Sequence, residues 1–191
     1  MRFEDGFVMR LYRQTVEDFS LYPGRELEDE EFQKLRSAAS AMSAKMRAVR
    51  ILSATNVSKS DLQQRLIHKG EDPEQAKKAV AWLEDLSLLD DQKTAHQVVQ
   101  RCISKGYGIA RAKQALYEKR IPKEYWEEAL TDYPEQTDTI VAFLRSRLGA
   151  QWDRKDLQKA VDALLRRGHS YPQIRRGLEQ LSVDTDELPE E

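Results

Sequence analysis

The chain has 191 residues, 34% of them charged, with one cysteine and a formal net charge of −2. A single cysteine excludes an internal disulfide and a cysteine-based zinc cluster, and no apolar run reaches the roughly 18 residues of a membrane span. The N-terminus Met1-Arg2-Phe3-Glu4-Asp5 carries acid and no apolar segment, so no secretory leader is expected and the cytoplasm is the expected compartment.

Charge is unevenly spread. Residues 1–40 hold 6 basic and 9 acidic residues, and residues 41–130 hold 16 and 12. Residues 139–178 hold 9 basic residues against Asp153, Asp156 and Asp162, while acids gather from Glu179 to Glu191. This asymmetry permits an anionic partner, and it equally fits a solvated helical surface with a disordered acidic tail.

In chain order, Phe7 to Tyr12 reads as a short strand or an irregular apolar segment. Thr15 is placed to cap a short helix through Leu21, and Tyr22-Pro23-Gly24 is a turn. The acids Glu28 to Glu31 suit the start of a further helix near Leu35. This segment is too short for a core of its own and is expected to pack on the first repeated unit.

After residue 40 the pattern repeats. Three helix starts, Asp72-Pro73, Ile121-Pro122 and Ser170-Tyr171-Pro172, recur at intervals of 49 residues. Asp72 and Ser170 are good N-caps with Gln three positions on, and proline in the first turn gives up a donor that has no partner there. In the first unit a helix is expected from Ala41 to about Ser53, with Ala41, Ala44, Ala48, Val49 and Leu52 on one face. Next comes a short helix capped by Ser58 or Ser60, carrying Leu62 and Leu66 and ending at Gly70. The third helix carries Ala76, Ala79, Val80 and Leu83, with Trp82 at its edge. The second unit places Ala95, Val98, Val99 and Cys102 inward, breaks at Lys105-Gly106-Tyr107-Gly108, resumes with Ile109, Ala112 and Leu116, and closes with Tyr125, Trp126, Ala129 and Leu130. The third unit lines its helices with Ile140, Val141, Leu144 and Leu148, then Leu157, Ala160, Val161 and Leu164, then Ile174, Leu178 and Leu181. Leu66 to Gly70, Leu116 to Arg120 and Leu164 to Gly168 are equivalent, with arginine where the other two have glycine.

The predicted fold is therefore all-α: tandem three-helix repeats in an elongated, curved array. Residues 1–40 form an N-terminal extension, 41–90, 91–134 and 135–181 are repeats 1 to 3, and 182–191 are an acidic tail. Such an array favours an extended partner, a nucleic acid or a protein filament.

Chemistry for catalysis is lacking. His68, His96 and His169 stand apart, without metal-ligand spacing, and His68 and His169 adjoin helix ends, where a surface position is the default. Cys102 falls on an apolar face as a buried structural thiol, and Gly106-Tyr107-Gly108 lacks the spacing of a phosphate loop. No cofactor, no metal and no enzymatic activity are expected.

Basic residues carry more. Arg101, Lys105, Arg111, Lys113 and Arg120 surround the glycine break, and Arg145, Arg147, Arg154 and Lys155 bracket another. Tyr107, exposed between two glycines, is placed to stack on a base or fill a protein pocket; alternatively the glycines only make a tight corner that Tyr107 packs over. Phosphate contacts by either cluster would be salt-sensitive and largely sequence-independent, and an acidic protein surface would suit them equally.

The sequence resembles the RecX family, regulatory proteins that act on the RecA recombinase. The central pattern carries this: Lys105-Gly106-Tyr107-Gly108, Arg111, Leu116, Arg120-Ile121 and Ala129-Leu130. Ala48 to Leu52, Ser60-Asp61-Leu62, Leu66, Lys69-Gly70, Val80, Leu83 and Leu88-Leu89-Asp90-Asp91 fit the first unit, and Arg167 to Tyr171 with Ile174 fits the third more loosely. Asp61, Thr94 and Arg120 depart from the family's glutamate, aromatic and glycine. The resemblance covers about residues 14–180. It implies a monomer that binds RecA and its DNA filament, mostly inhibits filament growth, ATPase and strand exchange, and so serves DNA repair, recombination and the SOS response. Some family members also bind DNA directly. Carried over, Lys105, Tyr107, Arg111 and Arg120 face the partner, and no membrane is involved.

Overall fold

The computed structural model describes residues 1–4, 6–149 and 152–181; the acidic tail at 182–191 lies outside them. The described residues form ten α-helices and no strand. The chain divides into two compact units, residues 1–90 and 91–191.

The first unit holds α1 (Arg13–Asp18), α2 (Asp29–Ala54), α3 (Lys59–His68) and α4 (Pro73–Asp85). Helix α2 is longer than expected. It runs unbroken across the predicted start at Ala41, because Ser37 to Ala41 are small residues that continue a helix without marking it. Thr15 does not cap α1 but lies buried inside it, with Tyr12 at the N-cap. The segment expected as a strand or irregular stretch forms only an isolated bridge between Arg2 and Val8.

Two clusters of apolar side chains use the two halves of α2. Met9, Leu35 and Ala39 are the buried centre of the first, joined by Phe3, Phe19 and Phe32. The Phe3 and Phe32 rings meet edge to face at 5.2 Å. Ala44 and Ala48 serve the second, with Val57, Leu62, Leu66, Ala76, Ala79 and Leu83 from repeat 1. Val49, expected on that face, is 37% exposed. Ser58, rather than Ser60, caps α3 by accepting from the Asp61 N–H at 3.1 Å. Asp72 caps α4, accepting from the N–H groups of Glu74 and Gln75 at 3.0 Å each.

The second unit holds two further three-helix sets. Repeat 2 is α5 (Asp91–Ser104), α6 (Ile109–Glu118) and α7 (Trp126–Leu130), the last entered through a 3₁₀ turn over Lys123–Tyr125. The third helix here is short. Pro122 stands where Asp72 and Ser170 cap the others and offers no side-chain acceptor. Trp126 ties the turn down instead, its Nε1–H donating to the Ile121 carbonyl at 2.9 Å. Repeat 3 is α8 (Thr137–Leu148), α9 (Arg154–Arg166) and α10 (Tyr171–Glu179), with a Ser170–Gln173 capping box opening α10. Ala95, Val99, Leu116 and Ile121 centre one core; Ile140, Leu144, Leu157, Leu164, Ile174 and Leu178 centre the other. The expectation of tandem three-helix repeats thus matches three triplets, each with its own apolar core.

One turn recurs at the end of the second helix in each repeat. Gly70, Arg120 and Gly168 all take positive φ, at 87°, 54° and 88°. The next N–H in each case, from Glu71, Ile121 and His169, donates back to the carbonyl of Leu66, Leu116 and Leu164 at 3.1 to 3.2 Å. The left-handed residue's own N–H donates to Ile67, Tyr117 and Leu165 at 2.8 to 2.9 Å. This paired pattern is the Schellman motif. Arg120 therefore adopts the glycine conformation without being glycine, at the steric cost an L residue carries there. Leu116, fully buried at the start of that turn, anchors repeat 2. Leu116→Ala is expected to cost about 2–5 kcal/mol by opening a cavity. Chemical denaturation checks this, and a loss below about 0.5 kcal/mol would show that Leu116 bears little of the core.

Candidate partner interface

The glycine break after α5 is where repeats 2 and 3 meet. The Gly108 N–H donates to the Arg167 carbonyl at 2.9 Å, and the Ala110 N–H to the Gly168 carbonyl at 3.3 Å. The approach is too close for side chains: a Cβ on Gly108 would lie 2.0 Å from the Gly168 oxygen, and one on Gly168 would lie 2.3 Å from the Arg111 nitrogen. From the other side, the Tyr133 hydroxyl donates to the Tyr107 carbonyl at 2.6 Å. Burial pushes that phenol up to about 12.

His169 completes the junction and corrects the surface position expected for it. It is 4% exposed, because it comes directly after the left-handed Gly168, at a position that each repeat turns inward. Its Nε2 lies 3.1 Å from the Gly106 carbonyl, an acceptor, so Nε2 carries the proton. The other ring nitrogen, Nδ1, is buried without a hydrogen-bond partner among the described residues. Burial lowers the histidine's pKa, with the bond to Gly106 acting the other way and the Arg167 charge adding to the depression. The equivalent position in repeat 1, Glu71, is also buried; it accepts from Arg47 at 2.5 Å and from the Ser43 hydroxyl at 2.9 Å on α2.

Basic side chains surround this junction. Arg101 and Lys105 are exposed on the last turn of α5 and just beyond it, and Lys113 is exposed on α6. Arg111 is half-exposed, its Nη1 donating to Glu118 Oε1 at 2.9 Å, which raises the guanidinium's pKa and lowers the carboxylate's. Cys102 is buried as expected: burial pushes its thiol up, and the charges of Arg111, Lys105 and Arg101 pull the other way. Arg101 and Lys105 lie one turn apart at the end of α5, and Arg111 follows in the first turn of α6. Tyr107, expected to be exposed, is half-buried, its carbonyl held by Tyr133. Arg120 is exposed at its left-handed turn, and Ile109, expected inside, sits at the edge of α6.

Of the second predicted cluster, Arg145 and Arg147 are exposed on the last turn of α8. Arg147 lies over the Phe143 ring at 5.5 Å, and Arg167 lies over the same ring at 4.5 Å. Arg167 and Phe143 lie outside the set of predicted site residues. Because the Arg167 carbonyl also binds Gly108 and Gly168 abuts Arg111, the two clusters join through Arg167. Arg154 and Lys155 are exposed in the first turn of α9, and no hydrogen bond or ion pair among the described residues ties them to that patch. Among the described residues no group of three or more His, Cys, Asp and Glu is placed to hold a metal, and no helix is long and apolar enough to cross a membrane.

Residues 90–130, which include the break and α5 to α7, match the family profile described as the second three-helix domain of RecX. A protein of Vibrio cholerae serotype O1 named Regulatory protein RecX is 30% identical over 141 residues, covering 72% of this chain and 92% of that one. The chain belongs to the RecX family. The RecX regulatory protein of Vibrio campbellii is 29% identical over 155 residues, covering 77% of this chain and 96% of its own. A crystal structure of regulatory protein RecX shares the fold, with a TM-score of 0.66 at 21% identity, covering 95% of this chain and 90% of that chain. RecX proteins are thus regulatory by name, and the family's second domain is the part that carries Arg101, Lys105, Tyr107, Arg111, Lys113 and Arg120.

The junction sets two expected outcomes. Gly108 has an ordinary φ of −78°, so Gly108→Ala meets no backbone penalty and tests the contact alone; it is expected to destabilise by about 1–3 kcal/mol through overpacking. Urea denaturation reads this, and wild-type stability would show that the two backbones separate at no cost. For His169 the folded pKa lies below the unfolded value of about 6.5. Its stabilising effect is therefore present above that pH and lost as pH falls through the folded value. Wild type should lose more stability than His169→Gln on acidification from about pH 8 to 5; parallel pH profiles would contradict the buried neutral ring.

Proposed function

We propose that this RecX protein binds a RecA-type recombinase and its filament on DNA and restrains filament growth, ATP hydrolysis and strand exchange, without catalysis of its own. It would act as a monomer in the cytoplasm, in DNA repair, recombination and the SOS response. What carries the reading is family membership together with the joined basic patch: Arg101, Lys105 and Arg111 on one side of the Gly108–Gly168 contact, Arg147 and Arg167 on the other. A patch mounted on two backbones in direct contact presents its charges in fixed relative positions, which suits recognition of a repeating anionic or acidic surface. Arg145, Lys113 and Arg120 extend it as exposed cations.

A second reading, direct binding of nucleic acid through the same patch, is favoured by the Arg147–Phe143–Arg167 stack, since aromatic and guanidinium planes both accept bases. The recombinase reading is tested by titrating the protein into DNA-dependent ATP hydrolysis by its cognate recombinase. Inhibition at substoichiometric amounts is expected. Replacing Lys105 and Arg111 together by Glu should spare the thermal midpoint and raise the half-inhibitory concentration about tenfold or more, a loss of about 1.4 kcal/mol. Unchanged inhibition by that variant would move the contact elsewhere, and no inhibition by wild type at any ratio would end the recombinase reading.

A further inference from the structure

Residues 182–191, outside the described residues, hold five acids, Asp184, Asp186, Glu187, Glu190 and Glu191, and no lysine or arginine. We propose that this acidic segment docks within its own chain on Arg101 and Lys105 at the end of α5, and so competes with the partner of the basic patch. The competition, unlike the docking, rests on that patch being the partner site.

Where the segment leaves the fold is the first argument. Helix α10 runs back along α8. A Cβ on Gly177 would lie 2.6 Å from the Ile140 side chain, and Arg176 Nη1 donates to Glu135 Oε1 at 3.1 Å. The end of α10 therefore lies by the start of α8, and Leu181, one turn beyond Gly177, packs on the core of repeat 3. The same turn of α8 meets the glycine break, since a Cβ on Gly106 would lie 2.4 Å from Thr139 Cγ2. Lys105 is the residue before. Exit and cations are thus set apart by roughly the width of one helix, about 10–12 Å. Ten residues span up to about 33 Å when extended. A short tether over such a gap holds its end at an effective concentration in the mM range.

Charge is the second. Arg101 and Lys105 are exposed, one turn apart, and form no ion pair among the described residues, whereas Arg111 already has Glu118. At the exit itself Arg176 is taken by Glu135, and Asp138 in the first turn of α8 is a further exposed carboxylate. Like charge there turns the segment away, toward the end of α5. Arg175 on α10 is the competing site, with one charge against two. Exposed ion pairs contribute little each and are screened by salt, so a tighter partner displaces the segment. That is what a reversible brake on the patch requires.

The test uses the full chain with neither recombinase nor nucleic acid. Thr185→Cys carries a nitroxide, and NMR reads the broadening of backbone amides at about 50 mM salt. Cys102 is buried with its thiol pushed up, so labelling selects the introduced cysteine. The Gly106 amide should broaden more than those of Arg154 and Arg175. Changing the five acids to Asn and Gln should cut that broadening at least by half, as should about 1 M salt, which screens charges beyond about 3 Å. Arg101→Glu with Lys105→Glu should do the same. Equal broadening with the acids removed would overturn the docking, because the segment would then pass the patch without binding it. Broadening centred on Arg175 or on α9 would overturn it too. For the competition, the chain with the neutral segment should inhibit recombinase ATP hydrolysis at about threefold to tenfold lower concentration, the factor by which a sub-millimolar contact at that effective concentration weakens a rival. Equal inhibition by the two chains would overturn the competition. Inhibition by neither would end the recombinase reading and leave the NMR result standing.

Discussion

Each repeat depends on a left-handed residue at the end of its second helix. Gly70, Arg120 and Gly168 reverse the chain within two residues and return its N–H groups to the last turn of the helix they close. Orphan carbonyls at the helix end are thereby satisfied, and the next residue is driven inward. What arrives there differs by repeat: a carboxylate held by Arg47, an isoleucine in the core of repeat 2, and a neutral imidazole at the junction of repeats 2 and 3. One backbone device thus delivers three kinds of contact, and the third helix starts from a fixed point each time.

Between repeats 2 and 3 the constraint is backbone against backbone. Gly108 and Gly168 leave no room for a Cβ, so the two segments bond directly and Tyr133 and His169 close over the contact. The charged groups around it are consequently mounted on little flexible structure. Arg111 begins at the contact itself, and Arg167 sends its carbonyl into it and its guanidinium onto Phe143. In the proposed function, packing would use the main chain of these few residues and recognition their side chains.

Much of the fold is legible in the sequence because it is periodic. Leu62 and Leu66, Leu157 and Leu164, and the caps Asp72 and Ser170 each announce themselves within a turn or two of helix. The continuity of α2 is not, since Ser37 to Ala41 carry neither an apolar stripe nor a break. Nor is the burial of His169, or the stack of Arg167 on Phe143. The partners lie 63 residues apart in one case and on separate elements in the other. The glycine break stands out in the sequence for its charges, but its glycines serve close approach, and Arg167, which links the two basic clusters, looks there like one half of an adjacent pair. A signal is present in the matching Leu-to-Gly spacing of repeats 1 and 3, which marks Gly168 as a turn and hence the next residue as inward.

Helix α2 is shared by both apolar clusters of the first unit. It contains neither proline nor glycine over 26 residues and so forms a rod of about 39 Å. Its N-terminal half packs Phe32, Leu35 and Ala39 against Phe3, Met9 and Phe19, and its C-terminal half is built into the repeat 1 core. A rod clamped at both ends has no hinge at which to dissipate a push. A displacement of the N-terminal cluster would therefore be carried along one helix toward Ala44 and Ala48, joining the extension to the first repeat without a loop between them.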